Sequence, residues 1–205
     1  MENEQELILR AKSQDSTAFS MLMQRHANSL YKVAKAILKN DEDVADAMQE
    51  TALSCWQKIE TLQNGQYFKT WLIRILINHC NTIRRKKSRY VLSVLLPEEG
   101  AEENAYANAE WMELLSCLGE KYRIVIVLFY VEGFRIREIA DLLSISESAV
   151  KERLSSARKK LARCLTSQPG PRRRRTGGSE KLRTPVEDLP STDFHRRMAR
   201  DNWSV

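Results

Sequence analysis

Glycine and proline are scarce in this 205-residue chain, seven and five in all, which excludes collagen-like, low-complexity and turn-rich all-β organisations. No apolar run approaches the roughly 20 residues of a membrane-spanning helix. The opening MENEQELILR sets acids where a secretory signal would need a basic start and an apolar core, so a cytoplasmic location without membrane insertion is expected. Cys55, Cys80, Cys117 and Cys164 form no CxxC pair, against a zinc knuckle, a redox motif or a disulfide framework. Reduced, half-buried thiols are expected. His79 and Cys80 are neighbours, but adjacent residues point to different sides of a helix and no second ligand pair lies nearby, so no metal site is expected. With three well-separated His and no HExxH, Walker loop or carboxylate pair, no enzyme activity, catalytic residue or cofactor is expected either.

Charge is unevenly placed. The net charge is +6, but residues 168–205 hold nine Lys/Arg against five Asp/Glu, leaving a nearly neutral body of 24 bases and 22 acids. Thr61 to Pro97 contains seven basic residues and no acid, whereas residues 1–60 carry ten acids and seven bases. Such asymmetry predicts one surface for nucleic acid and another for protein.

From Gln5 to Leu165 apolar residues recur every three or four positions, without the alternation of strands, so the fold class is all-α. Tyr31, Ala34, Ile37 and Leu38 end one helix at Lys39-Asn40. Asp41 or Asp43 then caps a second helix with Val44, Met48, Ala52 and Trp56 on its apolar side, ending near Ile59. Thr61 to Gln66, containing Asn64-Gly65, reads as a loop. After it, Phe68, Trp71, Leu72, Ile75, Leu76, His79 and Ile83 line one face of a long helix. Residues 97–110, PEEGAEENAYANAE, hold five Glu and no base and read as an extended acidic tether. Periodicity resumes at Trp111, breaks at Gly133 and runs to Leu165. Beyond that, Pro, Gly and the run Arg172 to Arg175 predict disorder.

The sharpest local pattern is GFRIREIADLLSISESAVKERLSSARKKL at 133–161. Ile139, Ala140 and Leu143 precede a short turn, and Ile145, Val150, Leu154 and Ala157 follow it, as in a helix-turn-helix. Small Ala140 allows a close helix crossing, and Ser146 is placed to cap the second helix. Lys151, Arg153 and Arg158 then offer basic groups for phosphates and base edges, the helix N-terminus entering the major groove deepest. A solvated charged face is the plain alternative. The turn carries Ser144 where such turns commonly place Gly.

Three blocks in order, DVADAMQETALSCWQKI, FKTWLIRILINHCNTIRRKKSR and the helix-turn-helix, resemble conserved regions two and four of extracytoplasmic-function sigma factors, over about residues 5–165. The resemblance implies an all-α chain of two small helical domains joined by a flexible acidic linker. Residues 1–92 would bind core polymerase and recognise and melt the minus-ten element, 93–110 would be the linker, 111–166 would read the minus-35 element, and 167–205 would be a basic tail. The partners implied are core RNA polymerase, through its largest-subunit clamp and its flap, promoter DNA and an anti-sigma factor.

For the sites, the resemblance implies that Asp46, Gln49 and Glu50 dock on the polymerase clamp. It implies that the loop, through Asn64, Gln66 and Tyr67, holds a flipped base, while Arg74, Asn78, Asn81 and Arg85, aligned on one helix side, follow the minus-ten strand. Ser146, Glu147, Ser148, Lys151, Arg153 and Arg158 would read minus-35. Phe68 and Trp71 fall on the apolar stripe and are expected in the core, not on a stacking platform. The rival reading is a stand-alone helix-turn-helix regulator whose first domain senses a ligand or dimerises. The basic, acid-free helix at 69–89 and the loop before it speak against this reading, since a sensor needs no second nucleic-acid surface. The tail matches nothing in the family pattern.

Overall fold

A computed structural model describes residues 3–91 and 115–167. The acidic tether, Trp111 and the tail after Leu165 therefore fall wholly or mainly outside the described residues.

Four helices form the first half. Helix α1 (Glu4–Lys12) is capped by Asn3, and α2 (Ser16–Ile37) by Asp15, whose carboxylate accepts from the amides of Thr17 and Ala18 at 2.9 and 3.1 Å. Arg10 grips the same carboxylate at 2.7 Å, tying the two helices across their turn. Helix α3 (Asp41–Lys58) starts at Asn40, whose side chain accepts from Glu42 N at 2.8 Å. Asp41 and Asp43 sit instead in the first turn, where acids favour the helix dipole. The expected cap thus moves one residue back, because Asn40 keeps the extended backbone that a cap requires.

Helix α4 (Phe68–Val91) follows two short 3-10 turns, Ile59–Thr61 and Gly65–Tyr67, so the expected loop is largely ordered turn. Its buried residues are Phe68, Leu72, Ile73, Leu76, Ile77 and Cys80. Ile75, His79 and Ile83, expected in the core, are half-buried. The buried stripe is broader than expected and rotated, because α4 packs on α2 and α3 and also on a helix of the second half. In α3 the core positions are Val44, Ala47, Thr51 and Cys55, not the Val44, Met48, Ala52 and Trp56 series. Small residues at 47, 51 and 55 let neighbouring helices approach, while Trp56 turns outward to meet Phe19 edge-on at 4.9 Å.

The second half is α5 (Glu120–Ile126), a π-helical turn at Val127–Val131, α6 (Ile136–Leu143) and α7 (Glu147–Ser167). Its core holds Ile124 to Leu128, Ile139, Leu142, Val150, Leu154, Ala157 and Leu161, each large aliphatic contributing about 1.5–3 kcal/mol by leaving water. Between α6 and α7, Ser144 adopts the left-handed conformation at φ 53° and ψ 47°, and both its N–H and that of Ile145 return to Ala140 O. The two halves do not float apart as a tether alone would allow. Helix α5 packs on α2, and α6 packs on α4.

Candidate nucleic-acid interface

The segment between α3 and α4 is held from behind by α1. Lys12 Nζ donates to Leu62 O at 2.7 Å, and Gln14 Nε2 to Glu60 at 2.8 Å. A Cβ at Gly65 would lie 2.4 Å from Gln5 Oε1 and 3.4 Å from Ile8 Cδ1, so glycine lets the turn lie flat on α1. Asn64 accepts from Gln66 N at 2.9 Å and caps the second turn. This bracing opens a cleft of about 460 Å³ lined by Thr61, Leu62, Gln63, Asn64, Tyr67, Thr70, Trp71 and Arg74, a volume suited to a small planar ligand. Of the three loop residues expected here, Asn64 and Tyr67 line the cleft and Gln66 does not. Phe68 is buried as expected, but Trp71 is half-buried and lines the cleft. It sits three residues before Arg74, where the helix surface curves from core to cleft.

Along α4, Arg74, Asn78 and Arg85 are exposed and Asn81 is half-buried, so the four lie on one outward side. The other bases are divided. Lys69 pairs with Glu132 at 2.9 Å, Lys87 with Asp43 at 2.9 Å, and Arg84 with Glu120. Among the described residues no ion pair engages Arg74 or Arg85, so their charge faces solvent. His79 is held by Ser54 across a 2.9 Å contact to α3, and among the described residues no group of three His, Cys, Asp or Glu could hold a metal.

On α7, Ser146 accepts from Ala149 N at 3.1 Å and caps the helix, while Val150 and Leu154 are buried. Glu147, Ser148 and Lys151 are exposed at the helix start. Arg153 and Arg158 are half-buried, and Arg158 Nε bends back toward Leu154 O at 3.4 Å. At 100° per residue Lys151 and Arg153 flank the buried stripe on opposite sides, so the three cations do not share one face. Glu152 and Lys159, both exposed, occupy the outward side between them.

Two family models match the chain: Sigma-70 region 2 over residues 22–90, and Sigma-70 region 4 over residues 108–161. The RNA polymerase sigma factor NccH of Alcaligenes xylosoxydans xylosoxydans is 30% identical over 78% of this chain and 94% of its own length. The chain belongs to the extracytoplasmic-function sigma factors. The sigma factor SigW of Bacillus subtilis, of that class by its name, is 28% identical over 77% of this chain and 94% of its own. In structure, CnrH solved with the cytosolic domain of CnrY matches with a TM-score of 0.58 and 27% identity, over 80% of this chain and 97% of that one. RpoE of Bartonella quintana, solved with the anti-sigma factor NepR, shares the fold with a TM-score of 0.61 at 23% identity, over 73% of this chain and 97% of that one.

In this sigma factor Asp46, Gln49 and Glu50 are all exposed on α3. Leu53, 58% exposed, continues the same stripe. Sequence reasoning passed over Leu53 because an apolar residue is first assigned to a core. Its place three residues beyond Glu50 and opposite Thr51 and Cys55 was the available signal.

Proposed function

We propose that this sigma factor binds core RNA polymerase and directs promoter-specific initiation, with no catalysis of its own. The observation that carries the reading is the braced cleft with Tyr67 and Trp71 on its wall, continuous with the outward Arg74 and Asn78. Stacking on aromatic faces and hydrogen bonds to base edges are what an extruded base needs to offset its unstacking cost. In this reading residues 1–92 form the polymerase-binding and minus-ten domain, 93–110 the linker, 111–166 the minus-35 domain and 167–205 a tail. Asn64, Tyr67, Arg74, Asn78, Asn81 and Arg85 take the minus-ten strand, with Gln66 at its edge. Ser146, Glu147, Ser148, Lys151, Arg153 and Arg158 take minus-35, and Asp46, Gln49 and Glu50 meet the clamp, the flap holding the second domain.

The working site is the cytoplasm, where polymerase acts; no described helix is long and apolar enough to cross a membrane. A negative regulator of the anti-sigma kind fits as a further partner, since CnrH is solved with the cytosolic domain of CnrY and RpoE with NepR. Gel-shift titration tests the reading. The free chain should bind promoter duplex weakly, and core polymerase should convert this to a tight, specific complex. Tight, specific binding by the chain alone would favour the stand-alone regulator instead.

A further inference from the structure

We propose that Cys117 and Cys164 form a peroxide-sensitive dithiol site, whose oxidation to an intramolecular disulfide staples the helix-turn-helix half. The two cysteines lie far apart in sequence and in no CxxC pair, yet the fold sets them side by side. Cys117 sits in the turn before α5, between buried Leu115 and Leu118, and Cys164 lies near the end of α7, one turn beyond buried Leu161. Helices α5 and α7 pack on one another. Across that seam the Lys160 ammonium stands 4.6 Å over the Tyr122 ring, and the Cys117 thiol donates a hydrogen bond to the Cys164 sulfur.

Access separates this pair from the other two cysteines. Cys117 is exposed and Cys164 half-buried, whereas Cys55 and Cys80 are wholly buried, with thiols that burial pushes up to about 12. A thiolate reached by solvent is what reacts with a peroxide, so in the folded chain the seam pair is the reactive one. Burial and the bond to Cys164 push the Cys117 thiol up to about 11. Cys117 therefore keeps its proton at neutral pH, and the first attack falls to Cys164.

Hydrogen peroxide is the oxidant the site calls for. The Cys164 sulfur attacks one peroxide oxygen, the O–O bond breaks, and the departing hydroxide takes up the proton that Cys164 released, leaving as water. The Cys117 sulfur then attacks the sulfenic sulfur on Cys164. The S–O bond breaks, the leaving hydroxide takes the Cys117 proton, and a second water departs. Two electrons have passed from the sulfur pair to the peroxide. Because Cys117 lies in a turn and not in a helix, its sulfur can close to the bonding distance of about 2.05 Å without unwinding α5 or α7.

The cross-link encloses α5, the π-helical turn, α6 and most of α7. Closing so long a loop removes freedom from the unfolded chain, which stabilises the folded half. On the reading above, that half carries the minus-35 surface, and Lys151 stays open to DNA about 20 Å along α7 from Cys164. A disulfide at a half-exposed seam also stays within reach of reducing thiols, as a reversible site in a reducing compartment must.

The test treats the full chain with hydrogen peroxide or with dithiothreitol, blocks remaining thiols with N-ethylmaleimide in denaturant, and maps unreduced tryptic peptides by mass spectrometry alongside thermal melting. Oxidation should join the Cys117 and Cys164 peptides of one chain, leave Cys55 and Cys80 open to the blocking reagent, and raise Tm by at least about 5 °C, reversed by dithiothreitol. Cys117→Ser should lose the cross-link and the Tm shift, and should instead hold Cys164 as a sulfenic acid that dimedone captures. Peroxide that leaves both cysteines unlinked in the wild-type chain, or joins two chains in place of one, would overturn the site. A cross-link with no rise in Tm would overturn the staple. None of these readouts needs polymerase or DNA, so a failure of the sigma reading would appear separately, as absent transcription.

Discussion

His26 shows how one buried side chain ties stability to pH. Its ring lies against Phe68, its Nε2 has no hydrogen-bond partner, and Glu4 Oε1 stands 3.6 Å away. Desolvation pushes its pKa below the usual histidine value, with Lys69 acting in the same direction and Glu4 and Glu132 opposing. The unfolded chain therefore takes up a proton first, so stability is fully present above about pH 6.5 and falls as pH drops from there toward the folded-state pKa. Urea midpoints measured at about pH 7.5 and 5.5 should fall for wild type and fall less for His26→Gln; equal pH dependence would remove His26 as the cause. Lys151 and Arg153 differ at the same scale. Lys151 is exposed near the helix start, whereas Arg153 is half-buried on the far flank. Lys151→Ala should weaken use of the minus-35 element by about 1–3 kcal/mol and relax preference at one promoter position if it meets a base edge. Arg153→Ala should have the smaller effect, as a panel of promoter variants would show, and the reverse order would place the DNA on the opposite flank.

At the scale of the element, the α3 stripe joins Asp46, Gln49, Glu50 and Leu53 on one exposed side, an acidic frame around an apolar centre. Charge reversal on a surface helix seldom costs much stability but disrupts a complementary interface. Asp46→Arg with Glu50→Arg should abolish co-purification with core polymerase while helicity is kept, and Leu53→Ala should weaken it by about 1–2 kcal/mol if Leu53 is a buried anchor. Wild-type pull-down by the double variant would misplace the docking surface. The helix-turn-helix was legible because its signals are local: the Ser146 cap, small Ala140 and the Val150–Leu154 seat all fall within one stretch of sequence. Even Ser144, which a Gly would more commonly replace, keeps the left-handed turn that the pattern demands. The core faces of α3 and α4 were less legible. Periodicity reports a stripe but not its width, and α4 carries a second packing partner far along the chain.

The whole molecule was legible in class and order, as helices on either side of the tether, but the packing of the two halves into one continuous core was not. Lys69, Arg84 and Arg123 look like solvated or DNA-facing bases until Glu132, Glu120 and Ala36 O are found beside them. These partners lie 63, 36 and 87 residues away, beyond any local pattern. Buried Cys55 and Cys80, whose thiols burial pushes up to about 12, likewise proved to be core. The central claim concerns what the molecule does with polymerase, and transcription itself tests it. Core RNA polymerase reconstituted with this chain on a library of promoter fragments should yield new transcripts from a defined subset sharing minus-ten and minus-35 elements, with strand opening around minus-ten. Transcripts no different from those of core polymerase alone, across the library, would contradict the account.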